Sequence, residues 1–384
     1  MKKYFPIFYY YKKIIYFDNS STNQKPKIYF KSILNCIKKK NFNINRGDNF
    51  FIKKVNLSIN KFKLLIKKLI LNNYLEEIVI LFNSTYSINF ILKSLINLII
   101  KNKYILISNM EHNSIILPFL KIIKLKNCKL IVFPTINNNL CKNLICNYFK
   151  KNIIFFVVNQ ISNLGLLNNI KKISIISHYN NCIIIVDATQ SISFININIK
   201  CIKADFFFFS LHKIFSSTGV SILYYNLFYL NKLIIINYGS GITNIISYKK
   251  IKFKNFYEKF EIGTQNLLSI FSSYYSIKWF IKNKKYFFYI NNYLKHIFQI
   301  IFKKKKKNLI NNYLIKINKN IFFINFIELN KIICRCDLLC NFSKQLFLSK
   351  NKNCRISINF YNNIKEIIKL KFLIFFFNYN IINY

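Results

Sequence analysis

Seven short runs of strand-type residues recur along the chain, at Ile78–Leu81, Tyr104–Ser108, Lys129–Phe133, Ile153–Val158, Cys182–Val186, Asp205–Phe209 and Val220–Tyr224. Each has strand length, and most are separated by stretches long enough for a helix. That alternation predicts an α/β fold with a mostly parallel seven-stranded sheet and helices on both faces. The last two runs are close enough for a turn, which allows one antiparallel member. After about residue 270 the pattern changes. A helical-looking stretch through Tyr274–Tyr289 leads into the lysine run Lys303 to Lys307, read as a solvated loop. Short strand-like runs follow at Ile321–Ile327 and Arg355–Asn359. The expected organisation is a large domain over 18–270 and a smaller α+β domain made of 1–17 and 271–384. No internal repeat is evident.

With 384 residues, 53% of them hydrophobic, the chain can bury a large core, and disorder is excluded. The net charge of +47, from 59 basic and 12 acidic residues, would ordinarily suggest nucleic acid or an anionic membrane. The excess is spread through nearly every segment, alongside an abundance of Ile, Asn, Phe and Tyr, all encoded by A/T-rich codons. Base composition is the simpler account, and no nucleic-acid partner is expected. No uncharged apolar run reaches the roughly 18 residues of a spanning helix, so no membrane is expected. The opening Met1-Lys2-Lys3-Tyr4-Phe5-Pro6 is followed by Lys12-Lys13 and no small-residue cleavage site, which argues against a signal peptide. Ten cysteines without paired short-range spacing fit a reducing compartment, here the cytoplasm.

Two of the strand runs end in chemistry. Phe206-Phe207-Phe208-Phe209 empties into Ser210-Leu211-His212-Lys213, and Cys182–Val186 into Asp187-Ala188-Thr189-Gln190. A doubly wound sheet binds ligands just outside the carboxyl ends of its strands. An amine and a carboxylate offered there suit pyridoxal phosphate, the amine as a Schiff base and the carboxylate holding the pyridine nitrogen protonated. Lys213 taken alone is one lysine among dozens, so the decision rests on the ordered set around it.

That set resembles the class V aminotransferase group of pyridoxal-phosphate enzymes, and within it the SUF-type (group II) cysteine desulfurases, from about Tyr16 to Ile368. Ile15-Tyr16-Phe17-Asp18-Asn19-Ser20-Ser21-Thr22 looks like the family's "YLDNAATT" opening, and Asn43-Ile44-Asn45-Arg46-Gly47 is similar to "NxHRG". Thr85, in Asn83-Ser84-Thr85-Tyr86-Ser87-Ile88-Asn89, stands where the family has a phosphate-binding threonine. Glu111-His112-Asn113-Ser114-Ile115 resembles "EHxxN", implying that His112 stacks on the pyridine ring. Ser162-Asn163-Leu164-Gly165 resembles "SNxxG" and implies that Asn163 lies beside cofactor and substrate. Asp187 and Gln190 match the residues on the pyridine nitrogen and near the phenolic oxygen. Ser210, His212 and Lys213 match "SxHK", two phosphate ligands and the Schiff-base lysine. Phe260-Glu261-Ile262-Gly263-Thr264-Gln265-Asn266 resembles "FExGTxN", whose threonine reaches the phosphate of the other subunit, implying a homodimer.

The C-terminal part selects the reaction. Arg335-Cys336-Asp337-Leu338-Leu339-Cys340 resembles "RxGxxC", which implies Cys340 as nucleophile and Arg335 near the substrate. Arg355-Ile356-Ser357-Ile358-Asn359-Phe360-Tyr361-Asn362 resembles "RxSxxxYN", whose arginine holds the substrate carboxylate. The resemblance therefore implies fold type I, catalytic Lys213, Cys340 and His112, and conversion of L-cysteine to L-alanine with sulfur left on Cys340 as a persulfide. That sulfur would go to an acceptor protein of iron–sulfur cluster assembly. The alternatives are a selenocysteine lyase or related class V enzyme and, more remotely, a basic nucleic-acid-binding protein on a decayed enzyme fold. A thiolate zinc site at Cys334, Cys336, Cys340 and Cys354 is a rival reading; its C-x-C-x3-C spacing is irregular for a zinc knuckle, so no metal is expected. The chain departs from the family pattern at Asn45, Asn83, Ser216, Ser217, Leu338 and Leu339, exchanges expected to cost backbone freedom or a polar contact.

Overall fold

The computed structural model describes residues 1–40, 42, 44, 49–136, 139–140, 147–149, 151–303, 309–316, 320–337 and 353–382. All seven expected runs are strands: β1 (Ile78–Leu81), β2 (Tyr104–Ser108), β3 (Lys129–Phe133), β4 (Ile153–Asn159), β5 (Ile183–Asp187), β6 (Phe206–Ser210) and β7 (Ser221–Tyr225). They form one sheet in the order β1-β7-β6-β5-β4-β2-β3, parallel except for β7, which runs antiparallel to both neighbours. This is the expected α/β arrangement, a mostly parallel seven-stranded sheet with helices on both faces.

Strand alternation divides the core. Phe206, Phe208, Ile183, Ile185, Phe155 and Val157 pack on one face against Ile88 and Ile91 of α1 (Ser84–Ser94) and Ile115 and Phe119 of α2 (Asn113–Lys126). Phe207, Phe209, Ile184, Val186, Phe156 and Val158 pack on the other against Phe62 and Ile66 of the helix Phe50–Ile70 and Phe280 and Phe287 of α3 (Leu267–Ile301). A strand covered on both faces must be apolar at every position, which is why β6 reads as four consecutive phenylalanines. The helical stretch expected at Tyr274–Tyr289 belongs to α3, a single helix of 35 residues.

A second sheet lies beyond α3. It joins β8 (Asn312–Lys316), β9 (Arg335–Asp337) and β10 (Asn353–Ser357) in the order β8-β10-β9, all antiparallel. Its core includes Ile15, Phe17, Phe298, Tyr313, Ile332, Cys354, Ile356 and Ile367. Ile15–Tyr16 pairs in parallel with Ile332–Ile333, and Asp18 bridges to Ser357, so the start of the chain is bound to its end. The strand expected at Ile321–Ile327 is instead a helix, Asn320–Leu329. Phe323 and Ile327 are buried four residues apart while Phe322 and Leu329 are exposed, the one-sided spacing of a helix rather than the alternation of a strand. Lys304–Lys307 of the lysine run lie outside the described residues. Among the described residues no helix is long and apolar enough to cross a membrane.

Candidate active site

The site is built at the carboxyl ends of five parallel-sheet strands. The chain leaves β1 into the start of α1 with Asn83, Ser84 and Thr85; it leaves β2 into His112 at the start of α2; β4 leads to Asn163, β5 ends on Asp187, and β6 is followed by His212 and Lys213. Together with Ser20, Ser21, Ser114, Thr189, Gln190, Ser210, Arg335 and Arg355 these residues line one cavity of about 280 Å³. The structure thus brings together Thr85, His112, Asn163, Asp187, Gln190, Ser210, His212, Lys213, Arg335 and Arg355. Thr264 is exposed and stands outside this cavity. Cys340, Leu338, Leu339, Asn45, Arg46 and Gly47 lie outside the described residues.

Electrostatics sort the floor into reactive and neutral groups. Burial, reinforced by the Arg355 charge, lowers the Lys213 amine to about 7, with Asp187 and Asp18 acting in the opposite sense. A large fraction is therefore the neutral, nucleophilic amine at neutral pH. Its Nζ donates to the Ser20 carbonyl, which also accepts from Gln190 Nε2 at 3.0 Å. Gln190 donates further to Asn163 Oδ1 at 3.2 Å. Burial raises the Asp187 carboxyl, against the bonds it accepts from Thr189 and the nearby charge of Lys213. His112 caps α2 through Nδ1, which accepts from the Ser114 N–H at 3.1 Å; burial and then the charges of Lys213, Arg335 and Arg355 lower it to about 4. His212 is lowered to about 3, chiefly by burial. Both rings are neutral at physiological pH.

At the start of α1 hydroxyls cluster. Ser84 Oγ lies 2.6 Å from Ser210 Oγ and 2.9 Å from Thr189 Oγ1, and the Ser84 N–H donates to Ser210 Oγ at 3.0 Å. Asn83, expected to cost backbone freedom, is extended at φ −162, where any residue sits comfortably, and its side chain caps α1 by accepting from the Tyr86 N–H at 2.8 Å. Ser217 likewise gains contacts, donating to Ser269 Oγ and accepting from the Tyr29 hydroxyl. Ser216 is the costly exchange, since its buried hydroxyl has no hydrogen-bond partner among the described residues.

The opposite wall comes from the second sheet. Arg335 and Arg355 face one another across β9 and β10. Arg355 is 2% exposed and donates to Asp18 Oδ1 at 3.0 Å and Ser21 Oγ at 2.8 Å. The opening segment is stitched alongside: the Ser20 N–H donates to Ser357 Oγ at 2.9 Å, and Asn19 Nδ2 to the Ser357 carbonyl at 2.6 Å. Gly165, beside Asn163, has φ +80, and a Cβ there would lie 2.8 Å from the carbonyls of Ile310 and Asn312, so only glycine lets this loop meet the second sheet.

Sequence reasoning missed Ser20, Ser21, Ser84, Ser114 and Thr189 as lining residues. All five fall within quoted motifs, a usable signal, although Ser20 acts through its carbonyl, which side-chain identity cannot reveal.

This cavity fits pyridoxal phosphate by its donor set. The hydroxyls at the helix start and the neutral His212 suit a phosphate. Buried Asp187 would regain its ionised form beside a cationic ring N–H, and Lys213 offers a neutral amine in the same cavity.

Comparison with known proteins agrees. The family model "Aminotransferase class-V" matches residues 15–370. The chain is 31% identical over 324 residues to "Cysteine desulfurase SufS" of Plasmodium falciparum, covering 80% of this chain and 59% of that protein's length. It is 29% identical over 381 residues to "Probable cysteine desulfurase" of Borreliella burgdorferi, covering 93% and 90%. Among solved structures, the apo cysteine desulfurase of Thermococcus onnurineus superposes with a TM-score of 0.90 at 21% identity, over 96% of this chain and 95% of that one. The cysteine desulfurase CsdA of Escherichia coli gives 0.86 at 16%, over 97% and 96%.

Proposed function

This chain belongs to the aminotransferase class-V family, and on that premise we propose that it is a pyridoxal-phosphate-dependent cysteine desulfurase, converting L-cysteine to L-alanine and taking the sulfur onto Cys340. The observation that carries the reading is one cavity with Lys213, Asp187 and His112 on its floor and Arg335 and Arg355 on its opposite wall. Its hydroxyls and neutral His212 at the start of α1, and its two arginines on the opposite wall, match the two anionic ends such a site must hold, a cofactor phosphate and a substrate carboxylate.

Bound pyridoxal phosphate supplies an electron sink that acidifies the substrate's Cα–H. The remaining work belongs to the chain. Thr85, Ser210 and His212 hold the phosphate end, Asp187 the ring nitrogen, Gln190 the phenolic oxygen, and His112 covers the ring face. Lys213, neutral near pH 7, carries the cofactor and then takes the α-proton from the substrate. Arg355 fixes the substrate carboxylate, with Arg335 and Asn163 beside it. The Cys340 thiolate attacks the substrate sulfur: an S–S bond forms as the Cβ–S bond breaks, the electron pair stays with carbon, and protonation gives alanine. No external oxidant is required.

The assembly is a homodimer in which Thr264 reaches the partner's phosphate site. Exposure of Thr264 and of Ile245, Ile246, Tyr248 and Ile251 on a nearby hairpin supports this. The large unit over 18–270 holds the cofactor, and the small unit, 1–17 with 271–384, holds the substrate. The persulfide sulfur passes to an acceptor protein of iron–sulfur cluster assembly, and the net charge of +47 suits an acidic one. A reducing, cytoplasmic setting is part of the same reading, on ten cysteines without paired short-range spacing.

The test is to purify the protein with pyridoxal phosphate, add L-cysteine, and measure alanine and protein persulfide together. Equimolar formation is expected. Lys213→Ala should abolish the visible band of the lysine-linked cofactor; Cys340→Ser should keep it and stop sulfur release. A band that survives Lys213→Ala, or sulfide release undiminished in Cys340→Ser, overturns these assignments.

A further inference from the structure

Alternation along β9 and β10 that turns Arg335 and Arg355 into the cavity sends their neighbours to the other face. There Cys336 stands opposite Cys354 in register, and Cys334, two residues before Cys336, joins them. Cys334 Sγ lies 2.9 Å from Cys354 Sγ and 3.6 Å from Cys336 Sγ, and all three sulfurs fall within 4.8 Å of one another. Among the described residues, no other group of three or more metal-ligating side chains converges in this way.

We propose that Cys334, Cys336 and Cys354 form a thiolate site for a d10 thiophilic cation, zinc(II) or copper(I), on the back of the sheet that carries the substrate arginines. Three sulfurs at one point exceed what a disulfide uses, and soft thiolate donors select these ions. With metal–sulfur bonds of about 2.3 Å, tetrahedral sulfurs sit ~3.8 Å apart, so the closest pair need spread by less than about 1 Å. Two strands supply the ligands, Cys334 and Cys336 from one side and Cys354 from the other, and this spans them rather than closing a short loop within one. Cys354 is fully buried in the apolar core while Cys334 and Cys336 are half-buried, which leaves a route for the ion. Each thiol gives its proton to solvent as its metal bond forms. No electron is exchanged. The bound ion would brace β9 against β10 behind Arg335 and Arg355; this consequence rests on the proposed role of those arginines, whereas metal binding does not.

The experiment uses the full-length protein loaded with pyridoxal phosphate, reduced and stripped of metal. It is titrated anaerobically with Zn²⁺ and, separately, with Cu⁺, each against a chromophoric chelator. One equivalent of one ion should be held, the tighter arm identifying it. Cys336→Ser should weaken binding at least about 100-fold while keeping the visible cofactor band, and Cys340→Ser should leave binding unchanged. Should Cys336→Ser fail to fold, Co²⁺ substitution of the unaltered protein still reports: the intensity of the sulfur-to-cobalt band counts the thiolates, three being expected. The proposal is overturned if binding survives Cys336→Ser, vanishes in Cys340→Ser, or is undetectable in the reduced protein, or if Cys334 and Cys354 are found disulfide-linked in the protein as isolated. Each of those results is read from metal binding alone, so the proposal can fail while the unaltered protein still produces alanine.

Discussion

The two walls of the cavity are made in opposite ways. The floor comes from the ends of neighbouring strands in the central sheet, so Asp187 is placed by the last position of β5 and His212 and Lys213 by the short chain after β6. The opposite wall comes from contacts between the two ends of the chain, Arg355 to Asp18 and Ser20 to Ser357. A floor set by strand ends tolerates sequence drift, because the sheet fixes its geometry. A wall set by a few hydrogen bonds between remote segments depends on each of them.

Substitutions on the two sides should therefore fail differently. Asp187→Asn removes the floor's anion and is expected to lower turnover by about 10²–10³-fold, with KM for L-cysteine little changed, in steady-state alanine assays. Arg355→Leu should raise that KM by about 100-fold and leave the cofactor band intact, since one charge-assisted carboxylate contact is lost. Asp18→Asn, which loosens Arg355 and removes a charge that favours the protonated Lys213 amine, should move the same parameter by about 10-fold; loss of the cofactor band instead would mean that the walls are not separable.

Two smaller effects concern the floor alone. Uptake of pyridoxal phosphate needs the neutral Lys213 amine, so its rate should rise with pH and level off above about 7; stopped-flow absorbance checks this, and a rise continuing toward the ordinary lysine value of 10.5 would contradict the burial described. Glu111, buried beneath the floor, has its carboxyl raised from 4.5 to about 8, first by burial. A raised carboxyl is protonated in the folded state while ionised in the unfolded one, so its contribution is full below pH 4.5 and lost as pH rises toward 8. Glu111→Gln should abolish that decline, worth at most about 1.4 kcal/mol per pH unit in denaturation midpoints converted to free energy.

Legibility in the sequence followed the same division. The seven strands and the floor residues were readable because each polar group directly follows an apolar run of strand length. Ile321–Ile327 misled because a short apolar run does not declare its period, and only the burial of Phe323 and Ile327 with exposure of Phe322 does. The cost assigned to Asn83 was misjudged because a glycine in a family pattern need not mark a positive φ. The pairing of Arg355 with Asp18 left no trace in spacing, and three cysteines dismissed for irregular intervals meet because β9 and β10 pair.

The bond between Arg355 and Asp18 joins residues 337 positions apart. A ribosome makes Lys213 well before it makes Arg355, so on the roles proposed above the residue that would carry the cofactor precedes the one that would grip a substrate. The wall that Arg355 and Asp18 make together therefore forms only once both remote segments exist.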